Sequence, residues 1–191
     1  RVRAIHWRDL QALSKLETIK ELLLFLPWFV ATFYFAIYQN WLISMGLSFV
    51  LFLAYLRLAH DCFHYNISLP RWAHEAVIFG LSALMLGSNH AVQYSHLRHH
   101  KYCLGEKDIE ATSAGMPWWK AILWGPIFPL KLIKHALASG NPRIRRWVQL
   151  EILLNIVVLV LVFGVLNILA LKFYFGLMLL AQCLTAFFAV W

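Results

Sequence analysis

Charge is scarce in this chain, and acidic charge scarcest. Only 14% of its 191 residues are charged, and nine of these are Asp or Glu. Soluble domains carry about 25% charged and 45–50% apolar residues; here 61% are hydrophobic and the mean hydropathy is +0.65. That excludes disorder and a collagen-like fibre. Cysteine is also rare. Cys62, Cys103 and Cys183 are odd in number and have no CxxC spacing, which excludes a disulfide-stapled module and fits a reducing compartment. No repeat of 20–50 residues and no low-complexity tract occurs. Arg1 to Glu21 mixes both charge signs ahead of a long apolar run, so it does not read as a signal peptide.

What is abundant is apolar sequence in blocks. Leu22 to Tyr38 carries no charge, Gln39-Asn40 interrupts it, and Trp41 to Tyr55 resumes without one. A span needs about 20 residues, so this pattern predicts a hairpin of helices over 22–38 and 41–64. Pro27 would kink the first. A second block from Ile152 to Trp191 holds Lys172 as its only charge and predicts a second hairpin, 150–168 and 172–191. Residues 1–21, with Leu10, Leu13, Leu16 and Ile19, suit a helix on the membrane surface. Ala76 to Leu86 is short for a span and suits a re-entrant or interfacial helix. Trp118, Trp119 and Trp124 read as interfacial anchors. The expected fold is all-α and membrane-embedded: two hairpins, about four transmembrane helices, and interfacial helices. The end inside an apolar run (AQCLTAFFAVW) predicts that residues 1–191 are a single membrane domain truncated at its C-terminus.

The net charge of +8 follows the same plan. Residues 1–21 hold five Lys or Arg and residues 61–149 hold ten, whereas the 39–40 turn holds none and the 167–172 turn one. The positive-inside rule then puts the N-terminus and the middle region on the cytoplasmic face. The basic excess reads as span flanks against anionic lipid, with no nucleic-acid partner.

Five of the nine histidines fall in two boxes. His60-Asp61-Cys62-Phe63-His64 is an HxxxH, and His96-Leu97-Arg98-His99-His100 is an HxxHH. On a helix, positions i, i+3 and i+4 share a face, so each box converges its imidazoles on one side. The third placed histidine makes the HxxHH about twentyfold rarer by chance than an HxxxH. Together the boxes predict a metal site in which His60, His64, His96, His99 and His100 are ligands. Imidazole suits zinc, copper, iron or nickel. Five histidines exceed the three protein ligands of a catalytic zinc, so more than one ion is expected, iron if the chemistry is oxidative.

HDCFH followed 31 residues later by HLRHH, both after a membrane hairpin, resembles the membrane fatty acid desaturase superfamily, which also holds carotenoid ketolases and hydroxylases. The acidic Gly105-Glu106-Lys107-Asp108 segment after box two resembles family members as well. The resemblance implies a di-iron centre on the cytoplasmic face held by the five box histidines. It implies O2-dependent desaturation of a fatty acyl chain (acyl-lipid or acyl-CoA), with electrons from a ferredoxin- or cytochrome b5-type donor. The alternative is a carotenoid ketolase or hydroxylase, or a lipid hydroxylase, with the same site. The family's third box is missing, since no histidine follows His135, so part of the ligand shell would lie beyond Trp191.

Other residues divide less cleanly. Asp61, Asp108 and Glu106 are candidates to orient a ligating imidazole from behind, the latter two equally an exposed acidic turn. His90 lies six residues before His96, off the box-two face. It reads as an extra ligand, a group behind the site, or a solvated cap. His74 reads as surface, and His6 and His135 as solvent-facing. A zinc protease is disfavoured because Asp61 replaces the glutamate of HExxH and a protease has no use for HxxHH. A bis-histidine haem protein would need its ligands on opposing spans.

Overall fold

A computed structural model of the chain describes residues 13–105 and 107–188. Among these every regular element is helical. Helices α1 (Lys15–Leu23) and α2 (Leu26–Ile37) form one helical stretch broken at Leu24-Phe25. Ser14 and Glu17 cap its start reciprocally. The break has a cause in Pro27, which has no N–H to give the carbonyl of Leu23 four residues back. The surface helix expected over 1–21 is corrected in part. Residues 1–12 lie outside the described residues, and Lys15 onward is the start of the first spanning helix.

Helix α3 (Trp41–Phe63) returns antiparallel to α2, and the buried Ser44 hydroxyl donates to the carbonyl of Thr32 at 3.0 Å across the hairpin. The turn closes with Gln39 in the left-handed region (φ 59°) while the amide of Asn40 donates to Phe35 O at 2.8 Å. Helix α3 ends in the same way. Tyr65 has φ 54°, and the amides of Tyr65 and Asn66 donate back to Cys62 O and Asp61 O. This closure stops the helix at box one.

Helix α4 (Arg71–Met85) and α5 (Asn89–Tyr102) follow, bent by 115° at Leu86-Gly87-Ser88. The segment at 76–86, expected as a re-entrant or interfacial helix, is most of α4, and the 115° bend that follows is that of a re-entrant loop or a broken span. At the bend, a Cβ on Gly87 would lie 2.5 Å from Nε2 of Gln182, so any larger residue there displaces that side chain. After a 3-10 turn at Glu110–Ser113 come α6 (Trp118–Trp124) and α7 (Phe128–Ser139).

Helix α8 (Pro142–Leu159) runs on as a π-helical turn to Leu166, then α9 (Leu169–Gln182) and α10 (Thr185–Phe188) close the described chain. The third span therefore begins eight residues earlier than the hydropathy predicts (142 against 150). Pro142 follows the Asn141 cap, whose side chain accepts from Ile144 N at 3.0 Å, and the helix starts there despite Arg143, Arg145 and Arg146. The turn between α8 and α9 is Asn167-Ile168, and Lys172 reaches back to Asn167 at 2.7 Å.

Four helical stretches are long and apolar enough to cross a bilayer: 15–37, 41–63, 142–166 and 169–187. Their outer faces are apolar, with Leu42 77% and Leu153 58% exposed, as lipid contact requires. The core between α3, α4 and α9 is built from Leu51, Phe52, Tyr55, Ile78, Met85 and Met178. Tyr174 on α9 donates to Leu84 O at 2.9 Å and ties α9 to the end of α4.

Candidate metal centre

Helix α3 delivers His60 in its last turn and His64 at its C-cap. Helix α5 crosses this end and delivers His96 and His100, one turn apart. The ligand atoms of these four imidazoles all lie within 4.8 Å of one another. His96 is the hub: its Nε2 is 3.1 Å from Nε2 of His64 and 3.0 Å from Nε2 of His100. The His60 ring centroid lies 4.7 Å from that of His64 and 4.9 Å from that of His96. Two nitrogens each about 2.1 Å from one cation are about 3.0 Å apart when they subtend a right angle. The observed spacing therefore fits a shared ion.

Carboxylates stand behind two of the rings. Nδ1 of His96 donates to the Glu110 carboxylate at 3.0 and 3.2 Å, and Nδ1 of His99 donates to Oδ2 of Asp108 at 2.7 Å. A proton fixed on Nδ1 leaves the Nε2 lone pair free for a metal. His99 stands outside the four-ring group, at 6.2 Å between centroids from His96 and 5.8 Å from His100. Asp108 also accepts from the amides of Leu104 and Ala111, at 2.8 and 3.2 Å, and so fixes the loop after α5. Burial works against the Asp108 carboxylate, but those amides and His99 hold its pKa below the usual range. Burial first, then the imidazoles of His60, His96 and His100, lower the pKa of His64. A neutral ring is the form that binds metal.

The remaining sequence candidates fall elsewhere. Asp61 is half-buried and makes no hydrogen bond to a box histidine among the described residues. Glu106 and His6 lie outside the described residues. His90 is fully buried, with Nδ1 at 2.6 Å from Glu151 and Nε2 at 3.0 Å from Glu75, so a solvated cap is ruled out. His74 is also buried, 1% exposed, which corrects its reading as surface; Nδ1 faces Pro70 O at 3.3 Å. His135 is half-buried against the Tyr94 ring rather than solvent-facing. Sequence reading missed Glu110, which lies in the acidic turn with Asp108. It also missed Glu151, a lone carboxylate at the edge of an apolar block, and such a residue inside a membrane segment is itself a functional signal.

Beside the histidines a cavity of about 380 Å³ opens between α3, α5, α7 and α9. His60, His96 and Glu110 form part of its wall, and Leu56, Phe63, Val92, Phe128 and Leu132 make it largely apolar. Its size falls within the ~300–1,000 Å³ of small-molecule sites.

The chain matches the fatty acid desaturase family over residues 38–191, and it belongs to that family. No curated protein and no solved structure matches it. The matched residues include α3, the second hairpin, both boxes and the acidic turn behind box two. An integral membrane protein of desaturase type, with a histidine cluster able to hold a metal, is what fold and family together define.

Proposed function

We propose that this chain belongs to an iron-dependent desaturase that introduces a double bond into a fatty acyl chain. The observation that carries the reading is the convergence of His60, His64, His96 and His100 beside an apolar cavity. His99, held by Asp108, completes the set of box ligands in a di-iron centre. Iron bound there supplies the oxidising power, with O2 and electrons, to remove hydrogen from an unactivated methylene.

The chain's own residues do the rest. Leu56, Phe63, Val92 and Leu132 take the acyl chain and exclude water. Glu110 and Asp108 hold the Nδ1 protons of His96 and His99, so that the opposite nitrogens stay available. The boxes face the cytoplasm, and residues 1–191 act as one membrane domain. Arg98 within box two and Lys101 and Lys107 after it surround the Tyr102 ring, within 5.0–5.9 Å of its centroid. This basic patch suits an acidic ferredoxin- or cytochrome b5-type donor.

The test is product analysis after expressing the full-length gene in a host supplied with both saturated lipids and carotenoids. New unsaturated acyl chains, lost in the His99→Ala variant while membrane insertion persists, are expected. Oxidised carotenoid with no change in acyl chains would overturn the substrate assignment.

A further inference from the structure

A second concentration of buried charge lies at the bend between α4 and α5, outside the four-histidine cluster. His90 is fully buried and reaches two carboxylates from opposite edges of its ring, Glu151 on α8 and Glu75 on α4. Glu151, also fully buried, meets the hydroxyls of Ser82 and Ser88 at 2.6 Å each and the His90 amide at 3.3 Å. Glu75 accepts from Arg143 and from the Tyr65 hydroxyl, both at 2.8 Å. The Trp147 ring lies parallel to the imidazole, 4.7 Å away at an interplanar angle of 1°.

The donors decide the protonation. Glu75 faces Arg143 and the Tyr65 hydroxyl, and Glu151 faces the His90 amide and two serine hydroxyls, surroundings that suit ionised, acceptor-only carboxylates. An imidazole between two such carboxylates can donate from both nitrogens as an imidazolium. Glu75 and Glu151 then balance His90 and Arg143, and the Trp147 face stabilises the cation. Left unpaired, any of these charges would be costly at this depth.

The network is placed where it can set the geometry of both boxes. Tyr65 directly follows His64. His90 opens the helix that carries His96, six residues and about 9 Å along its axis. Helices α4 and α8 hold no box residue, yet they anchor both carriers through Glu75 and Glu151.

We propose that His90 is a positioning residue, a buried imidazolium between Glu75 and Glu151 that fixes α5 and, through Tyr65, the end of α3, so that the two histidine boxes meet. The inference rests on the metal-site reading above, and its test separates the two. Ferrous iron is titrated anaerobically into the full-length protein in detergent, and melting of the metal-free protein is followed in parallel. The variants are His64→Ala, Tyr65→Phe, His90→Gln and His90→Gln/Glu151→Gln.

Tyr65→Phe removes one hydroxyl from a partly exposed ring, so folding is retained, and iron affinity should fall threefold to tenfold. His90→Gln should bind iron ~10–100-fold more weakly and melt earlier, the loss typical when a ligand's support is removed. The double variant removes one charge of each sign, so its melting should recover toward that of the parent. Without recovery, His90 is not an imidazolium. Parent-like iron affinity in both Tyr65→Phe and His90→Gln, with iron binding lost in His64→Ala, would make the network a structural pin only. If His90→Gln does not fold, Tyr65→Phe decides. If His64→Ala binds iron as the parent does, the metal-site reading falls, and this inference with it.

Discussion

Glu110 and Asp61 show how differently two carboxylates near the same metal cluster can act. Asp61 sits inside box one, where proximity in sequence suggests a supporting role, yet it makes no bond to a box imidazole among the described residues. Glu110 sits 14 residues beyond His96 and holds its Nδ1 at 3.0 Å. Glu110→Gln keeps the size but removes the charge that favours the Nδ1–H tautomer, so iron affinity should fall about tenfold. Asp61→Asn should change it by less than about threefold. Iron titrations of the two variants check this, and a larger effect at Asp61 would reverse the assignment. The convergence of His60, His64, His96 and His100 was legible from spacing, because i and i+4 are co-facial on any helix, whereas His99 stands outside that group. Glu110 was not, since its approach to His96 depends on the 3-10 turn at Glu110–Ser113 and on Asp108 locking the loop. No periodicity in the sequence encodes that.

At the scale of the elements, hydropathy located the hairpins because lipid-facing surface must be apolar on every turn. It placed the start of α8 too late, because Arg143 reads as a flank when it is the partner of the buried Glu75. The short apolar run at 76–86 signalled a re-entrant or interfacial helix, but not where α4 and α5 bend. At the bend Gly87 is pressed against Gln182, whose side-chain amide donates to Met85 O at 3.1 Å. Gly87→Ala forces that amide away and breaks the bond. It should destabilise the protein by about 1 kcal/mol, seen as a lowered melting temperature in detergent. An unchanged melting temperature would mean that Gln182 moves aside without loss.

Over the whole molecule, two pairs of helices long and apolar enough to cross a bilayer flank a basic middle region that carries box two, and the proposed topology puts that region on the cytoplasmic side. Cys103 is exposed just after box two and reports on that side. A membrane-impermeant thiol reagent added to intact cells should leave it unlabelled, and permeabilisation should label it. Labelling from outside would invert the topology and remove the basic patch from any cytoplasmic electron donor.

The central claim is that the histidines of the two boxes form one metal centre, with His96 at its hub. Iron content of the purified full-length protein tests it most directly, comparing the parent with His96→Ala. The parent should retain iron, and the variant should lose it while still inserting into the membrane. Equal iron in the two would contradict the account.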